Sequence, residues 1–326
     1  LRLSEDGWVC GLSDRNALLL DRVDCYRDGE LYAENIAPIL LQEKLVRDGR
    51  NCNLKLVYRA HSDVPLRGAY LGIEDAERYE IAVNGTPVPS RGNFSSFAAE
   101  CISRVPLPDL SAGDIEISLR FDFVIPNDVR RVLLGEDAIE SDFNRLQDLP
   151  EVENIYLIGD FCVSGVHREG DMLVSDGAFA LSQPEMPTRI SAFGESGFPF
   201  YVGEIVARKK IRLHLREGAL EFACALKGVA VRVLINGKFF GDILWNSRFD
   251  ATGFLLDGEN EVELHIYNDL RNLFGPHHNK LKEPRMVGFT TFADEPGWCD
   301  PPMRLWTDTY YLKEYGVAFP RENDED

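Results

Sequence analysis

Two kinds of side chain in this sequence suit the recognition of a sugar: large aromatic rings and planar polar groups. An aromatic face packs on the apolar C–H side of a pyranose ring, while amide, guanidinium and imidazole groups bind its hydroxyls. Trp298 follows Gly297 in a proline-rich stretch, so we expect an exposed ring on a loop. Trp245 is a second candidate, with packing in the core as the alternative. The polar candidates are Arg271, Asn272, His277 and His278.

The two adjacent histidines have two interpretations. Neighbouring side chains on an extended segment point to opposite sides, so His277 and His278 are poorly placed to bind one metal ion together. In one interpretation the pair is structural, following Gly275-Pro276. In the other, one histidine faces a pocket between domains together with Arg271 and Asn272. The sequence is compatible with both.

The acidic residues offer no convincing catalytic pair. A glycosidase needs two carboxylates at a defined separation. The densest cluster in this chain occupies the first turns of a predicted helix, where a solvated acidic face is expected, so we assign no catalytic residue. The members of this cluster are Glu136, Asp137, Glu140 and Asp142.

No metal or cofactor is predicted. A structural Ca²⁺ would need several oxygen ligands on one loop, and no Asp-x-Asp-x-Asp loop is present. Three scattered carboxylates could contribute oxygens to such a site: Asp109, Asp114 and Asp160.

The charge balance limits the class of partner. The 326 residues include 35 Lys and Arg against 54 Asp and Glu, a formal net charge of −19. Nucleic acid and anionic membranes attract clustered basic residues, so neither is expected as a partner. A neutral oligosaccharide or polysaccharide is favoured. No apolar run approaches the roughly 18 to 20 residues needed to cross a bilayer.

The cysteines indicate a compartment. All seven are scattered, and none forms a Cys-x-x-Cys pair, which favours free thiols in a reducing, cytoplasmic setting over secretion. Removal of a signal peptide is the alternative, because the chain begins without Met.

The elements that must position these residues are mainly strands. Several runs alternate polar and apolar residues, as expected of antiparallel strands with one face on a core. Only two segments show helical spacing, at residues 36–46 and 134–146. An all-β protein with a few short helices is therefore predicted. The clearest alternating runs are residues 53–60, 80–83, 115–121, 211–215 and 261–266.

An internal repeat divides the chain. Asn84-Gly85 and Asn236-Gly237 each follow a β-rich run and predict hairpin turns, 152 residues apart. Each is followed by an excursion and then by an alternating strand. We therefore predict two related β-sandwich domains in tandem, preceded by a lead-in from another domain. The predicted bounds are 1–35 for the lead-in, 36–190 for the first sandwich and 191–326 for the second.

The second repeat resembles a known module. The segments from Val233 to Lys238, from Trp245 to Asp250 and from Leu255 to Val262 are similar to the galactose-binding-like, sugar-binding jelly-roll domain of glycoside hydrolase family 2. Accessory β-domains of large bacterial α-L-rhamnosidase-like glycoside hydrolases are similar to three further segments: Gly72 to Gly85, Val152 to Phe161 and Leu270 to His278.

This resemblance implies two tandem jelly-roll domains that form the C-terminal, non-catalytic region of a glycoside hydrolase. Such a region would support or extend glycan binding by an upstream catalytic domain of the same polypeptide. Two alternatives stay open: a hydrolase fragment with its own glycosidase site, and a protein-interaction or purely structural sandwich.

Overall fold

Strands dominate the structure. The computed structural model describes residues 3–134, 139, 141, 151–170, 172–214, 221–245, 247–282 and 306–319. Every strand pair with a defined register in these ranges is antiparallel, as in hairpin-connected sheets. The prediction of an all-β sandwich fold with a few short helices is confirmed.

The elements of the first half of the chain are β1 (Val9–Leu12), β2 (Asn16–Leu20), β3 (Val23–Arg27), β4 (Glu30–Ile36), α1 (Pro38–Asp48), β5 (Cys52–Ser62), β6 (Tyr70–Glu74), β7 (Glu80–Val83), β8 (Thr86–Val88), β9 (Ser96–Phe97), β10 (Ala99–Pro106), β11 (Gly113–Phe123), α2 (Asn127–Leu133) and β12 (Ile155–Gly159). A short 3-10 turn, Ala76–Arg78, precedes β7.

The second half contains β13 (Cys162–Ser164), β14 (His167–Glu169), β15 (Met172–Ser175), β16 (Ala180–Ser182), β17 (Glu204–Leu213), β18 (Glu221–Lys227), β19 (Val229–Ile235), β20 (Lys238–Ile243), β21 (Ser247–Asp250), β22 (Gly258–Asn268), α3 (Arg271–Phe274), β23 (Tyr310–Lys313) and β24 (Gly316–Ala318).

The chain folds into two compact units. We call them the 18–159 unit, which also contains Trp306, and the 160–319 unit, which also contains residues 3–17. These bounds differ from the predicted ones. The predicted lead-in is divided, because β1 pairs with β17 in one unit while β3 pairs with β5 in the other. Pairings this distant in sequence leave no local signal in the chain.

The same sheet is built in both units. In the 18–159 unit the strand order is β3-β5-β11-β7-β8, with β4 added beside β3. In the 160–319 unit the order is β1-β17-β22-β19-β20. Numbered along the chain, both sheets have the order 1-2-5-3-4. The predicted repeat is therefore present as a repeated topology.

The Asn-Gly turns join equivalent strands in the two sheets. Asn84 and Asn236 adopt φ of +47° and +53°, in the left-handed region that a tight hairpin turn requires. Each asparagine also ties its turn to the closing strand. Asn84 Oδ1 accepts the Glu116 N–H at 2.8 Å, and Asn236 Oδ1 accepts the Glu261 N–H at 3.0 Å.

A second, smaller layer completes each unit. In the 18–159 unit it is the sheet β2-β12-β6-β10-β9. In the 160–319 unit it consists of the sheets β14-β15-β23 and β21-β18-β24, with β13 paired to β16. The core of the 160–319 unit includes Trp8, Phe193, Phe198, Val233 and Leu264.

A buried carboxylate organises the turns between β16 and β17. Glu314 accepts N–H bonds from Gly194 at 2.7 Å, Glu195 at 3.0 Å and Tyr315 at 3.0 Å, and it pairs with Arg168 at 3.1 Å. Burial raises the pKa of this carboxyl, while the N–H donors and Arg168 act in the opposite direction. A buried charge with this many partners fixes the course of the chain around residue 194.

Candidate functional site

The strongest candidate site is the solvent-facing side of the five-stranded sheet in the 160–319 unit. In β22, Val262, Leu264 and Ile266 point into the core, so Glu263, His265 and Tyr267 alternate to the other side. Neighbouring strands add polar and apolar groups to this side. We call this surface the outer face and define it by Glu204, Arg208, Arg232, Phe239, Asp242, Glu263, His265 and Tyr267.

A hydrogen-bonded network spans the outer face. His265 Nδ1 lies 2.7 Å from Glu204 Oε1, and His265 Nε2 lies 2.7 Å from Glu263 Oε1. Carboxylate oxygens accept hydrogen bonds, so the imidazole ring lies between two acceptors. Tyr267 donates its hydroxyl to Glu204 Oε1 at 2.5 Å, and Arg208 Nε donates to Glu263 Oε2. Each side chain is thus held by at least one other.

These hydrogen bonds lower the pKa of both glutamates of the network. The Tyr267 hydroxyl lowers the pKa of Glu204, with a smaller contribution from His265 in the same direction. The Arg208 guanidinium lowers the pKa of Glu263, and His265 adds to that effect. Both carboxylates therefore stay ionised well below neutral pH, and they accept hydrogen bonds throughout the physiological range.

A second cluster lies on the next strands. Arg232 donates two hydrogen bonds to Asp242, at 2.8 and 3.0 Å, and its guanidinium carbon lies 5.5 Å from the centre of the Phe239 ring. Arg232 is also directly opposite His265 in the register of β19 and β22. The bidentate pair therefore extends the same polar surface by one strand.

Exposed rings accompany these polar groups. Phe239 is 59% exposed and Tyr267 is 41% exposed. Trp245, three residues beyond Asp242, is 70% exposed. Apolar rings of this size usually lie inside a protein, so their presence around a fixed polar network indicates a surface suited to a ligand with both apolar and hydroxylated sides.

The binding residues predicted from the sequence lie in different surroundings. Trp245 is exposed, two residues beyond the end of β20. Trp298 lies outside the described residues. Asn272, His277 and His278 are buried, which leaves their side chains inside the fold rather than in a pocket.

The partners of these buried residues explain their place. Asn272 donates to the Pro199 and Lys313 carbonyls at 2.9 and 2.7 Å, and it accepts the Lys313 N–H at 2.8 Å. His277 Nε2 donates to the Asn272 carbonyl at 2.8 Å, and His278 Nδ1 to the Thr307 carbonyl at 2.9 Å. These contacts fit the structural interpretation of the histidine pair.

Arg271 is the remaining predicted residue. It begins α3, and its guanidinium donates to the Tyr311 carbonyl at 3.5 Å. This contact directs the side chain along β23 and towards the same buried segment as its neighbours. The four polar candidates thus stabilise one local structure: Arg271, Asn272, His277 and His278.

Residues of the outer face were absent from the sequence-based candidates. The signal was available in part, because the alternation of residues 261–266 assigns Glu263 and His265 to the polar side of a strand. What the sequence lacks is the pairing of β22 with β17 and β19, which brings Glu204 and Arg232 next to His265.

One carboxylate outside the outer face also has a perturbed pKa. Glu151 and Glu153 line a cleft of about 450 Å³ beside α1. Burial raises the pKa of Glu153 to about 7, and its hydrogen bond with Glu151 adds to the effect. The acidic cluster singled out in the sequence, from Glu136 to Asp142, lies outside the described residues.

The three aspartates considered as possible Ca²⁺ ligands have separate partners. Asp109 accepts the Gly68 N–H at 3.4 Å, Asp114 lies 2.7 Å from His61 Nδ1, and Asp160 lies 3.5 Å from Arg15. Within the described ranges, no group of three or more His, Cys, Asp or Glu side chains is arranged to hold a metal ion.

None of the six cysteines that the structure describes is an activated thiol, because the pKa of each is raised. The six cysteines in the described ranges are free thiols. Burial raises the pKa to about 11 for Cys10 and Cys224, and to about 12 for Cys25. Thiols of this kind stay protonated and unreactive at neutral pH. No helix in the described ranges is long and apolar enough to cross a membrane.

Several solved structures of glycoside hydrolases are similar to this chain. A GH2 beta-galacturonidase from Eisenbergiella tayi has 12% identity and a TM-score of 0.30, covering 79% of this chain and 37% of its own. An alpha-L-rhamnosidase from Streptomyces avermitilis has 10% identity and a TM-score of 0.30, with coverages of 80% and 25%. A beta-D-mannosidase from Dictyoglomus thermophilum has 14% identity and a TM-score of 0.27, with coverages of 77% and 31%.

The chain thus spans between a quarter and about two fifths of the length of these structures. No family model matches the sequence. No curated protein matches it either.

Proposed function

We propose that this chain is a non-catalytic carbohydrate-binding region of a glycoside hydrolase, and that the outer face binds a neutral oligosaccharide. The observation that carries the proposal is the juxtaposition of the exposed Tyr267 ring with the Glu204–His265–Glu263 network. A ring held by a 2.5 Å hydrogen bond at its hydroxyl presents a fixed surface to a ligand, so little conformational entropy is lost on binding.

The charge of the outer face supports a neutral ligand. Arg208 is paired with Glu263 and Arg232 with Asp242, while Glu204 accepts from the Tyr267 hydroxyl. Paired charges exert little long-range attraction on a charged molecule. The outer face offers donors and acceptors in alternation, which is what the hydroxyls of a sugar require.

In this proposal the chain supports glycan binding by an upstream catalytic domain of the same polypeptide. Binding to the outer face would hold the polysaccharide near that domain and raise its effective concentration there. The direct comparison is the rate of polysaccharide hydrolysis by the full polypeptide with and without the substitution Trp245→Ala.

The test of binding uses titration calorimetry with galactose- and rhamnose-containing oligosaccharides. We expect Trp245→Ala and Tyr267→Ala each to weaken binding by about tenfold, the loss of one stacking contact. Leu281→Ala is the matched control, because Leu281 is an exposed apolar residue of the same unit and is not one of the residues that define the outer face. Equal binding by all four proteins would contradict the proposal.

The second candidate function is a glycosidase site of the chain's own, favoured by the raised pKa of Glu153 in its cleft. The geometry argues against it. Glu151 and Glu153 are hydrogen-bonded to each other, whereas glycosidases hold their two carboxyl groups about 5 Å or more apart. A pair in contact shares one proton and leaves no room for the anomeric carbon. Hydrolysis of aryl glycosides that is abolished by Glu153→Gln would establish this function instead.

A further inference from the structure

A cleft of about 920 Å³ in the 18–159 unit carries charge of the opposite sign to the rest of the chain. Four cationic side chains line it, Lys55, Arg78, Arg91 and Arg120, against two carboxylates, Glu77 and Glu80. The whole chain has a net charge of −19, so a local excess of cations is the exception in this molecule. We call this region the basic cleft.

The four cations that line the basic cleft come from four different segments of the chain. Arg120 on β11 lies opposite Lys55 on β5 and Glu80 on β7, so these side chains form the floor of the basic cleft. Arg78 ends the 3-10 turn before β7, and Arg91 lies in the loop after β8. Charges that meet from different elements around one concavity act on the same ligand, unlike charges spread along one surface strand.

Within the described ranges, Arg78 is the one of these four cations that forms an ion pair. Arg78 lies 3.5 Å from Asp75, and Lys55 lies over the Tyr26 ring at 5.9 Å. In contrast, within the part of the chain that the structure describes, the side chains of Arg91 and Arg120 form no ion pair, although both line the basic cleft. A guanidinium presents a planar fork of donors that suits a carboxylate, sulfate or phosphate oxygen pair.

The rest of the lining suits a hydroxylated molecule. Ser90 and Ser118 add hydroxyl groups, and Pro87 and Pro89 form a wall of restricted backbone. Serine hydroxyls both donate and accept, as sugar hydroxyls do. The basic cleft therefore combines an anion site with groups for a polyol.

The repeat shows that the two sheets carry different charges at equivalent positions. Val83 and Ile235 precede the two Asn-Gly turns and pair with Ile117 and Val262 on the closing strands. Three residues further along those strands lie Arg120 in one sheet and His265 in the other. His265 is enclosed by carboxylates, whereas Arg120 opens into the basic cleft.

We infer that the basic cleft binds an anionic saccharide, with Arg120 and Arg91 contacting its carboxylate or sulfate group. This site is separate from the outer face, and the inference does not depend on neutral sugar binding there. A guanidinium group binds a carboxylate and a sulfate in the same way, so the experiment must distinguish these two anions.

The experiment is titration calorimetry of the full chain with a uronic acid oligosaccharide, its neutral methyl ester and a sulfated oligosaccharide. We expect the charged probes to bind, with affinity falling as salt rises, and the methyl ester to bind at least about tenfold more weakly. Tighter binding of the uronate would identify a carboxylate as the anion, and tighter binding of the sulfated probe would identify a sulfate.

Substitutions assign the site. Arg120→Gln and Arg91→Gln should each weaken binding of the preferred charged probe by about tenfold, since each removes one charge-assisted contact. Arg67→Gln is the matched control, an exposed arginine of the same unit outside the basic cleft. Trp245→Ala should leave this binding unchanged, so failure here and failure of the outer face are distinguishable.

Four results would overturn the inference. The first is no binding of either charged probe. The second is equal binding of the methyl ester. The third is an equal loss in Arg67→Gln, which would indicate non-specific attraction. Inorganic phosphate that competes at the same concentration as the charged saccharide would also overturn it, because the sugar hydroxyls would then contribute nothing.

Discussion

At the scale of single residues, the hydroxyl of Tyr267 has the largest effect on the pKa of Glu204. Removing only this hydroxyl in Tyr267→Phe should raise the pKa of Glu204 towards its ordinary value, because the largest stabilisation of the carboxylate is lost. A side-chain NMR titration of Glu204 measures the shift. An unchanged titration would show that Tyr267 and Glu204 are not bonded in solution.

The same variant separates the ring from the hydroxyl in sugar binding. Tyr267→Phe keeps the aromatic face, so it should bind more tightly than Tyr267→Ala. Equal losses in both would assign recognition to the hydroxyl rather than to stacking.

Glu153 gives a pH dependence of stability. Its pKa rises from 4.5 in the unfolded chain to about 7 in the folded one, so the folded state binds the extra proton between these values. Stability contributed by this proton is present below about pH 4.5 and is lost as pH rises through about 7. Glu153→Gln should therefore stabilise the protein at pH 8 by about 2 kcal/mol and have little effect at pH 4.

Urea unfolding at both pH values checks this prediction. Glu30→Gln, an exposed carboxyl of the same unit, is the control. A Glu153→Gln variant that is less stable than the wild type at pH 8 would mean that the ionised form is preferred in the fold.

Residue types in the sequence could identify polar and aromatic candidates but not their exposure. Trp245 is exposed, while His277 and His278, which look equally suited to binding, are buried. The difference arises from the carbonyls of Asn272 and Thr307, which accept from the two rings. Neither hydrogen bond can be predicted from the local sequence.

At the scale of elements, the two Asn-Gly turns are an internal comparison. Asn84 and Asn236 make the same bonds to their closing strands, but Asn236 also donates to the Phe254 carbonyl at 3.0 Å and to Asn260 Oδ1 at 2.8 Å. Asn236→Ala should therefore destabilise the protein by about 2 kcal/mol, against about 1 kcal/mol for Asn84→Ala.

Thermal or urea unfolding of the two variants measures this difference. The positive φ of the two asparagines is nearly equal, so backbone strain cancels between them. Equal losses would show that the bonds to Asn260 and Phe254 add nothing to stability.

Strands were predictable from the sequence where alternation is strict. The run at 80–83 matches β7, and those at 115–121 and 261–266 lie within β11 and β22. The run at 211–215 captured only the end of β17, which begins at Glu204. Its first half is a strand because of pairing with β1, and this partner lies almost two hundred residues away.

The bounds of the helices were also only partly predictable from the sequence. The helix predicted over 36–46 is α1, shifted to Pro38–Asp48, because proline occupies its first turn and Gly49 ends it with a φ of +66°. The helix predicted over 134–146 lies almost wholly outside the described residues, and α2 ends at Leu133 just before it.

At the scale of the whole molecule, the first residues of the chain belong to the core of the 160–319 unit. Trp8 is 1% exposed, its ring lies 6.1 Å from that of Phe319, and its Nε1 donates to the Ser4 carbonyl at 2.9 Å. Trp8→Ala should destabilise the protein by about 3 to 5 kcal/mol.

Urea unfolding checks this effect, and Val9→Ala, a change at a neighbouring exposed residue, is the control. A small effect of Trp8→Ala would support the sequence-based prediction that residues 1–35 are a lead-in of another domain. The tandem arrangement could be predicted from the repeat, but this use of the first strand could not.

The central claim is that the outer face binds a neutral sugar. Titration calorimetry of the full chain with neutral galactose- and rhamnose-containing oligosaccharides, comparing the wild type with Tyr267→Ala and Leu281→Ala, tests it most directly. The account predicts binding that falls about tenfold in Tyr267→Ala and is unchanged in Leu281→Ala. Absence of binding to every neutral oligosaccharide, or binding that is indifferent to Tyr267, would contradict it.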